Sequence, residues 1–161
     1  MMMKNEKKVV DVHTYMPVLC ELLEQGKEVS LTITGNSMSP FMVHGRDVIL
    51  IVPPDGTWKK GDMAFFRRTN GQYVMHRICR VNTTGECYLI GDAQQIVEGP
   101  IQQSQLFGKI TRVQRKGRWI GPGNFWWEFF EHIWLNIIPL RPACRKIYGI
   151  LWRFKRKCAK L

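Results

Sequence analysis

Between residues 29 and 116 the chain alternates short apolar runs with turn signals, and this limits its fold more than any other feature. The runs are VSLTIT (29–34), DVILIVP (47–53), DMAFFRR (62–68), YVMHRICRV (73–81), CYLIG (87–91) and LFGKITRVQRK (106–116). They are rich in β-branched and aromatic residues, which suit a pleated, half-buried strand. Pro53-Pro54-Asp55-Gly56, Lys60-Gly61-Asp62, Asn70-Gly71 and Thr84-Gly85 separate them. Asn70-Gly71 between apolar runs is a hairpin signal, because Asn and Gly accept the positive φ of a tight turn. The pattern predicts a mainly β, antiparallel domain, partly coiled or barrel-like.

The flanks are different. Val9, Val12, Met16, Leu19, Leu22 and Leu23 recur at helical spacing, and Gly26 is a natural stop, so residues 9–25 read as one amphipathic helix. Pro17 lies inside it and is expected to kink or delay it. At the other end the composition changes at Gly121-Pro122-Gly123. FWWEFFEHIWLNIIPL (125–140) follows, then RPACRKIYGILWRFKRKCAKL (141–161). A helix over the first of these would gather Glu128, Glu131, His132 and Asn136 on a narrow stripe and cover the rest in apolar side chains. The chain of 161 residues thus divides into an N-terminal helix (1–28), a β domain (29–118) and an aromatic, basic C-terminal extension (119–161).

Charge follows the same division. Residues 1–111 hold 12 Lys/Arg and 11 Asp/Glu, whereas residues 112–161 hold 12 Lys/Arg against only Glu128 and Glu131. A tail this basic points to an anionic partner, a membrane surface or a nucleic acid. Two uses of the extension compete: a lid packed on the β core, or an interfacial anchor with aromatics at the acyl boundary and Lys/Arg against headgroups. No segment reaches the ~20 apolar residues of a spanning helix, and the N-terminus has no apolar run suited to a signal peptide. The expectation is therefore a protein at the cytosolic face of a membrane, or a cytoplasmic one. The five cysteines form no Cys-x-x-Cys pair, which fits a reducing compartment and neither a disulfide framework nor a zinc site.

Chemistry enters at Thr34-Gly35-Asn36-Ser37-Met38-Ser39-Pro40-Phe41, where the first strand-like run stops. Turn propensity alone explains that composition. A serine nucleophile also needs a base to take its proton and a group to orient the base. His76 and Asp92, in Val74-Met75-His76-Arg77-Ile78 and Gly91-Asp92-Ala93, are the residue types required, but spacing does not show that they meet. No metal cluster or cofactor motif is visible, and serine chemistry needs neither.

Taken in order, these stretches resemble the type I signal peptidase superfamily, which includes the self-cleaving repressor-type peptidases. Gly35-Asn36-Ser37-Met38-Ser39-Pro40 is similar to the family's nucleophile box. Gly45-Arg46-Asp47-Val48-Ile49 and Lys60-Gly61-Asp62-Met63-Ala64-Phe65 are similar to two following strand boxes. Val74-Met75-His76-Arg77-Ile78 is similar to the general-base box, and Gly91-Asp92, Glu98 and Gly108-Lys109-Ile110 to the closing boxes. Most members have lysine before the arginine; His76 resembles the branch that uses serine with histidine and acids. The resemblance implies a serine endopeptidase acting on an extended leader- or signal-type peptide or pre-protein through an acyl-enzyme. It implies Ser37 as nucleophile, His76 as base, and Asp92, favoured over Glu98, as the residue orienting His76. Met38 and Pro40 are expected at the substrate, with Met38 packed below the nucleophile. The Ser37 backbone N–H is the expected oxyanion donor, and Thr34 or Asn36 could add a side-chain donor. His13, His44 and His132 are expected at surfaces or interfaces.

The chain departs from the family in three ways: a helix stands where the N-terminal membrane anchor is usual, Gly45-Arg46-Asp47 stands where Asp-Gly-Asp is common, and Glu98 stands where Asp is common. Nucleic acid is disfavoured as a partner, since no helix-turn-helix domain fits in the residues before the peptidase-like part. The rival reading is a non-catalytic peptide-binding or membrane-adaptor protein that retains the fold.

Overall fold

A computed structural model of the chain describes residues 12–144, 146 and 147. The expected first turn of the N-terminal helix and the basic tail from residue 148 onward lie outside them. Helix α1 (Val12–Glu24) ends at Gly26, whose φ of 77° reverses the chain. Eight strands follow: β1 (Val29–Thr32), β2 (Val48–Val52), β3 (Met63–Arg67), β4 (Tyr73–Val81), β5 (Cys87–Ile90), β6 (Glu98–Ile101), β7 (Leu106–Arg115) and β8 (Arg118–Ile120). Then come α2 (Phe125–Glu128) and a run of short helical turns to Leu140.

All strand pairs are antiparallel, in the order β1-β2-β7-β3-β4-β5-β6, with β8 folded back on β7. The sheet is open, not closed into a barrel. Six strands match the apolar runs closely, and β3 and β4 form the hairpin that Asn70-Gly71 predicts. Two strands were not expected. β6 reads Glu-Gly-Pro-Ile, and its Gly99-Pro100 looks like a turn. β8 has only three residues.

Both faces of the sheet centre are covered. On one face Met63 and Phe65 of β3 join Leu19 and Leu23 of α1, Phe41, and Trp127, Phe130 and Trp134 of the C-terminal segment. On the other, Ala64 and Phe66 join Ile78, Leu89, Ile101 and Leu106. That two-sided burial explains why β3 is apolar without alternation. Gly108 lets both neighbours approach: a Cβ there would stand 2.7 Å from Ile51 Cγ2 of β2 and 3.2 Å from Leu23 Cδ1 of α1.

Candidate active site

Ser37 sits in the long loop between β1 and β2. The loop is closed at its base by Ile33 N–H donating to the Asp47 carbonyl and Gly45 N–H to the Ile33 carbonyl, both at 2.9 Å. Buried Asp47 accepts from Val43 N–H and pairs with Arg46. His44 Nδ1 accepts from Gly35 N–H at 3.0 Å, so this histidine supports the turn that delivers Ser37. Met38, Phe41 and Met42 are buried, whereas Ser37 is half-exposed. The peptide bond before Pro40 is cis.

Ser37 is held to a second loop. Its carbonyl accepts from Ala93 N–H at 2.7 Å. A Cβ on Gly91 would lie 2.6 Å from the same carbonyl oxygen, so only glycine permits this approach. The 91–94 loop is gripped in turn by the C-terminal segment. Trp134 Nε1 donates to the Asp92 carbonyl at 2.8 Å. Buried Arg141 donates from Nη1 to the carbonyls of Gly91 (2.9 Å) and Gln94 (3.1 Å), and from Nε to that of Trp134 (3.1 Å). Trp127 and Phe130 pack on Phe41, four residues after Ser37. The core-facing half of the extension is therefore a lid.

His76 and Arg77 are adjacent on β4, so their side chains leave the strand on opposite faces. This sorts the two candidate acids. Arg77 meets Asp92, with Nε and Nη2 each 3.2 Å from a carboxylate oxygen, and Nη1 donates to the Gly61 carbonyl at 3.0 Å. Arg77 and Asp92 are both fully buried. His76 meets Glu98 instead: Nδ1 is 3.1 Å from Oε1. The expectation that Asp92 orients His76 is thus corrected by geometry, because the Asp92 carboxylate is committed to Arg77 across the sheet. Glu98 is itself held by Arg68, whose Nε and Nη2 donate to its two oxygens at 2.6 and 2.5 Å.

The His76–Glu98 contact is within ion-pair range but is not aligned as a hydrogen bond. Among the described residues neither ring nitrogen has a hydrogen-bond partner. The ring is 1% exposed and lies beside Phe66. Burial lowers its pKa to about 4, outweighing the opposite pull of Glu98. Burial acts to raise the Glu98 pKa, but the hydrogen bond from Arg68 and the charges of His76 and Arg68 bring it below the usual value. At neutral pH the site thus holds a neutral imidazole beside an ionised carboxylate. No hydrogen bond joins His76 to Ser37 in this state, although catalytic bonds often tighten only when substrate is bound.

A cavity of about 600 Å³ opens at Ser37. One wall is the Ser30–Gly35 stretch and another is Tyr73, Val74 and Met75. Met38 lines it, whereas Pro40 is not among the lining residues. Both walls offer strand edges. β1 is an edge strand, and β5 pairs with β4 only from Arg77 onward. Sequence reasoning did not single out Arg68, Trp134 or Arg141. Their roles depend on which carbonyl or carboxylate the fold brings to them, and no local pattern marks that.

A family model described as Peptidase S24-like matches residues 3–111, well over half of the chain. No curated protein matches. The chain belongs to the Peptidase S24-like family of serine peptidases.

Proposed function

We propose that this Peptidase S24-like protein is a serine endopeptidase that cleaves an extended, leader- or signal-type peptide through an acyl-enzyme on Ser37. The observation that carries this reading is the Arg68–Glu98–His76 chain, in which partly exposed Arg68 and Glu98 lead to a buried imidazole that is neutral at neutral pH. Glu98 beside Nδ1 favours the tautomer with the proton on Nδ1. That leaves the Nε2 lone pair to act as base.

In the proposed sequence His76 Nε2 takes the Ser37 hydroxyl proton as Oγ attacks the scissile carbonyl carbon. The carbonyl oxygen gains negative charge, and backbone N–H at the serine turn, that of Ser37 first, stabilises it. The imidazolium then gives its proton to the leaving amine as the C–N bond breaks. Water deprotonated by the same nitrogen attacks the acyl carbon, and the ester bond to Ser37 Oγ breaks as His76 returns the proton to Oγ. Glu98 stabilises the imidazolium and holds the ring, and Arg68 keeps Glu98 ionised. Asp92 has a positioning role: its pair with Arg77 and its backbone contacts set the 91–94 loop on which the Ser37 carbonyl rests.

Substrate would lie as a strand in the cavity between β1 and the start of β4, with main-chain pairing for affinity and side-chain pockets for choice. The cavity lining includes the apolar side chains of Met38, Ile49 and Met75, which suits a small uncharged residue before the scissile bond. The missing Ser37–His76 hydrogen bond is the observation that favours the rival, a peptide-binding module without catalysis.

The test is labelling of the purified protein with a serine-acylating probe (a penem or a fluorophosphonate), followed by mass spectrometry. A single adduct on Ser37, absent in Ser37→Ala and reduced about 10³-fold in rate in His76→Ala, supports the peptidase. A folded wild type without an adduct, or one labelled as fast without His76, supports the binding module.

A further inference from the structure

The C-terminal segment is apolar on more sides than the core uses. Trp127, Phe130 and Trp134 repeat at helical spacing and face inward, each about 5% exposed. A second stripe faces out: Phe125 is 70% exposed, Trp126 51% and Ile133 52%. Further along the chain Leu140 and Ile147 are exposed as well, each at 58%. Phe125 stacks on Phe129, and Trp126 meets both rings edge-on, so these aromatics form a preassembled group. Glu128, Glu131 and His132 occupy the remaining sector. His132 pairs with Glu128, and Glu131 accepts from Trp127 Nε1.

The surroundings of this stripe are cationic. Arg112, Lys116 and Arg118 are exposed on the β7–β8 arm that leads into it, with Trp119 44% exposed among them. Arg112 reaches Gly121, where a Cβ would be 3.5 Å from Arg112 Cγ, at the root of α2. Lys146 is exposed at the far end. Residues 141–161 hold eight Lys/Arg and no acid. Exposed aromatic and aliphatic side chains bordered by Lys and Arg match the acyl–headgroup boundary of an anionic bilayer. Among the described residues no helix is long and apolar enough to cross a membrane, so attachment would be by lying on the surface.

We propose that the outer face of residues 119–147, with the basic residues that border it, docks this protein on an anionic lipid surface. The inner face of the same segment grips the 91–94 loop. One segment thus joins the membrane contact to the frame of the candidate active site. The docking does not depend on the serine chemistry.

The experiment is co-sedimentation of the full chain with vesicles of phosphatidylcholine alone and of phosphatidylcholine mixed with phosphatidylglycerol, at low and high salt. Wild type should bind the mixed vesicles, ignore the neutral ones, and lose at least about tenfold in affinity at high salt. The variant Phe125→Ser/Trp126→Ser/Ile133→Ser should lose about tenfold or more at low salt while keeping its circular dichroism and its reaction with the serine probe. These side chains lie outside the core, so folding should survive; if it does not, Trp126→Ser alone should show a smaller loss of the same sign. Absence of binding to anionic vesicles overturns the proposal, as does equal binding by the folded variants. Concentration-dependent self-association abolished by the same substitutions would overturn it in favour of a second copy of this chain. Tighter binding to a DNA oligonucleotide than to vesicles, insensitive to those substitutions, would overturn it in favour of nucleic acid. A protein that binds vesicles but carries no Ser37 adduct would retain this proposal and lose only the peptidase reading.

Discussion

Strand β4 sends two neighbouring side chains to opposite faces of one sheet, and each meets a carboxylate. Arg77 and Asp92 are both fully buried, and a guanidinium, unlike an imidazole, has no neutral form to offer for proton transfer. His76 is as buried as Arg77, but its partner Glu98 is 22% exposed and the imidazole can exist uncharged. The first pair can only hold: removing either member strands a buried charge. The second pair can change state, because a proton moving onto His76 is stabilised by Glu98 while a third group, Arg68, keeps that carboxylate ionised. Burial and an ion partner are common to both faces. The ability of one partner to be neutral separates a frame from a candidate reaction centre.

The largest test of this contrast is on the holding side. Asp92→Ala leaves Arg77 buried and unpaired, which should cost about 3–5 kcal/mol of stability, read as a lower midpoint in urea. Acylation of the fraction that remains folded should change far less than in the Glu98 variant. A neutral effect on stability would show that Arg77 finds another partner and would break the comparison.

Glu98→Gln should reverse the pattern. The urea midpoint should move little, while the rate of Ser37 acylation falls by about 10²–10³-fold, since the imidazolium loses its counter-charge and the ring its orienting group. If Asp92→Asn slowed acylation more than Glu98→Gln, the assignment of acids would have to be exchanged.

Gly91→Ala probes the link between the two loops. Its Cβ would press on the Ser37 carbonyl oxygen, so acylation should fall roughly tenfold or more as the serine shifts. Unchanged acylation in a folded Gly91→Ala protein would show that the serine loop does not need this contact.

The pH dependence is a finer test. With the folded His76 pKa lowered to about 4, the acid limb of the acylation profile should lie well below the usual histidine value of about 6.5. Stability follows with a fixed sign. The unfolded chain protonates His76 first, so its contribution is complete above about pH 6.5 and is lost as the pH falls towards 4. In His76→Gln that part of the acid sensitivity should vanish, whereas Asp92→Asn should retain it.

The smallest expected effect belongs to the C-terminal grip. Trp134→Phe keeps an aromatic ring but removes the bond to the Asp92 carbonyl and some buried volume, for a loss of about 1–2 kcal/mol in stability.

Much of the framework was readable in the residues themselves. Strand positions follow from apolar runs between turns, and β4 was located residue for residue. The helix over 9–25 was placed by spacing, and its described part is α1. Ser37 and His76 stood out because their neighbours form recognisable boxes. The strands that escaped notice lack those signals: β6 contains Gly99 and Pro100, and β8 is three residues long. For the extension the sequence offered a lid or an anchor and could not choose, because aromatic side chains on nearly every side erase the period that would mark an inner face. Packing on Phe41 chose which stripe turned inward.

The sequence by itself determined which residue types are available for chemistry: a serine turn with Ser37 and Ser39, one histidine in a strand, two carboxylates beyond it. Only the tertiary structure decided which carboxylate serves which cation. Asp92 and Glu98 are six positions apart on one stretch of chain, and nothing local tells them apart. The alternation of β4 puts His76 and Arg77 on opposite faces. The pairing of β5 with β6 then carries Glu98 to the histidine's side, while the turn at Gly91 leaves Asp92 on the arginine's side.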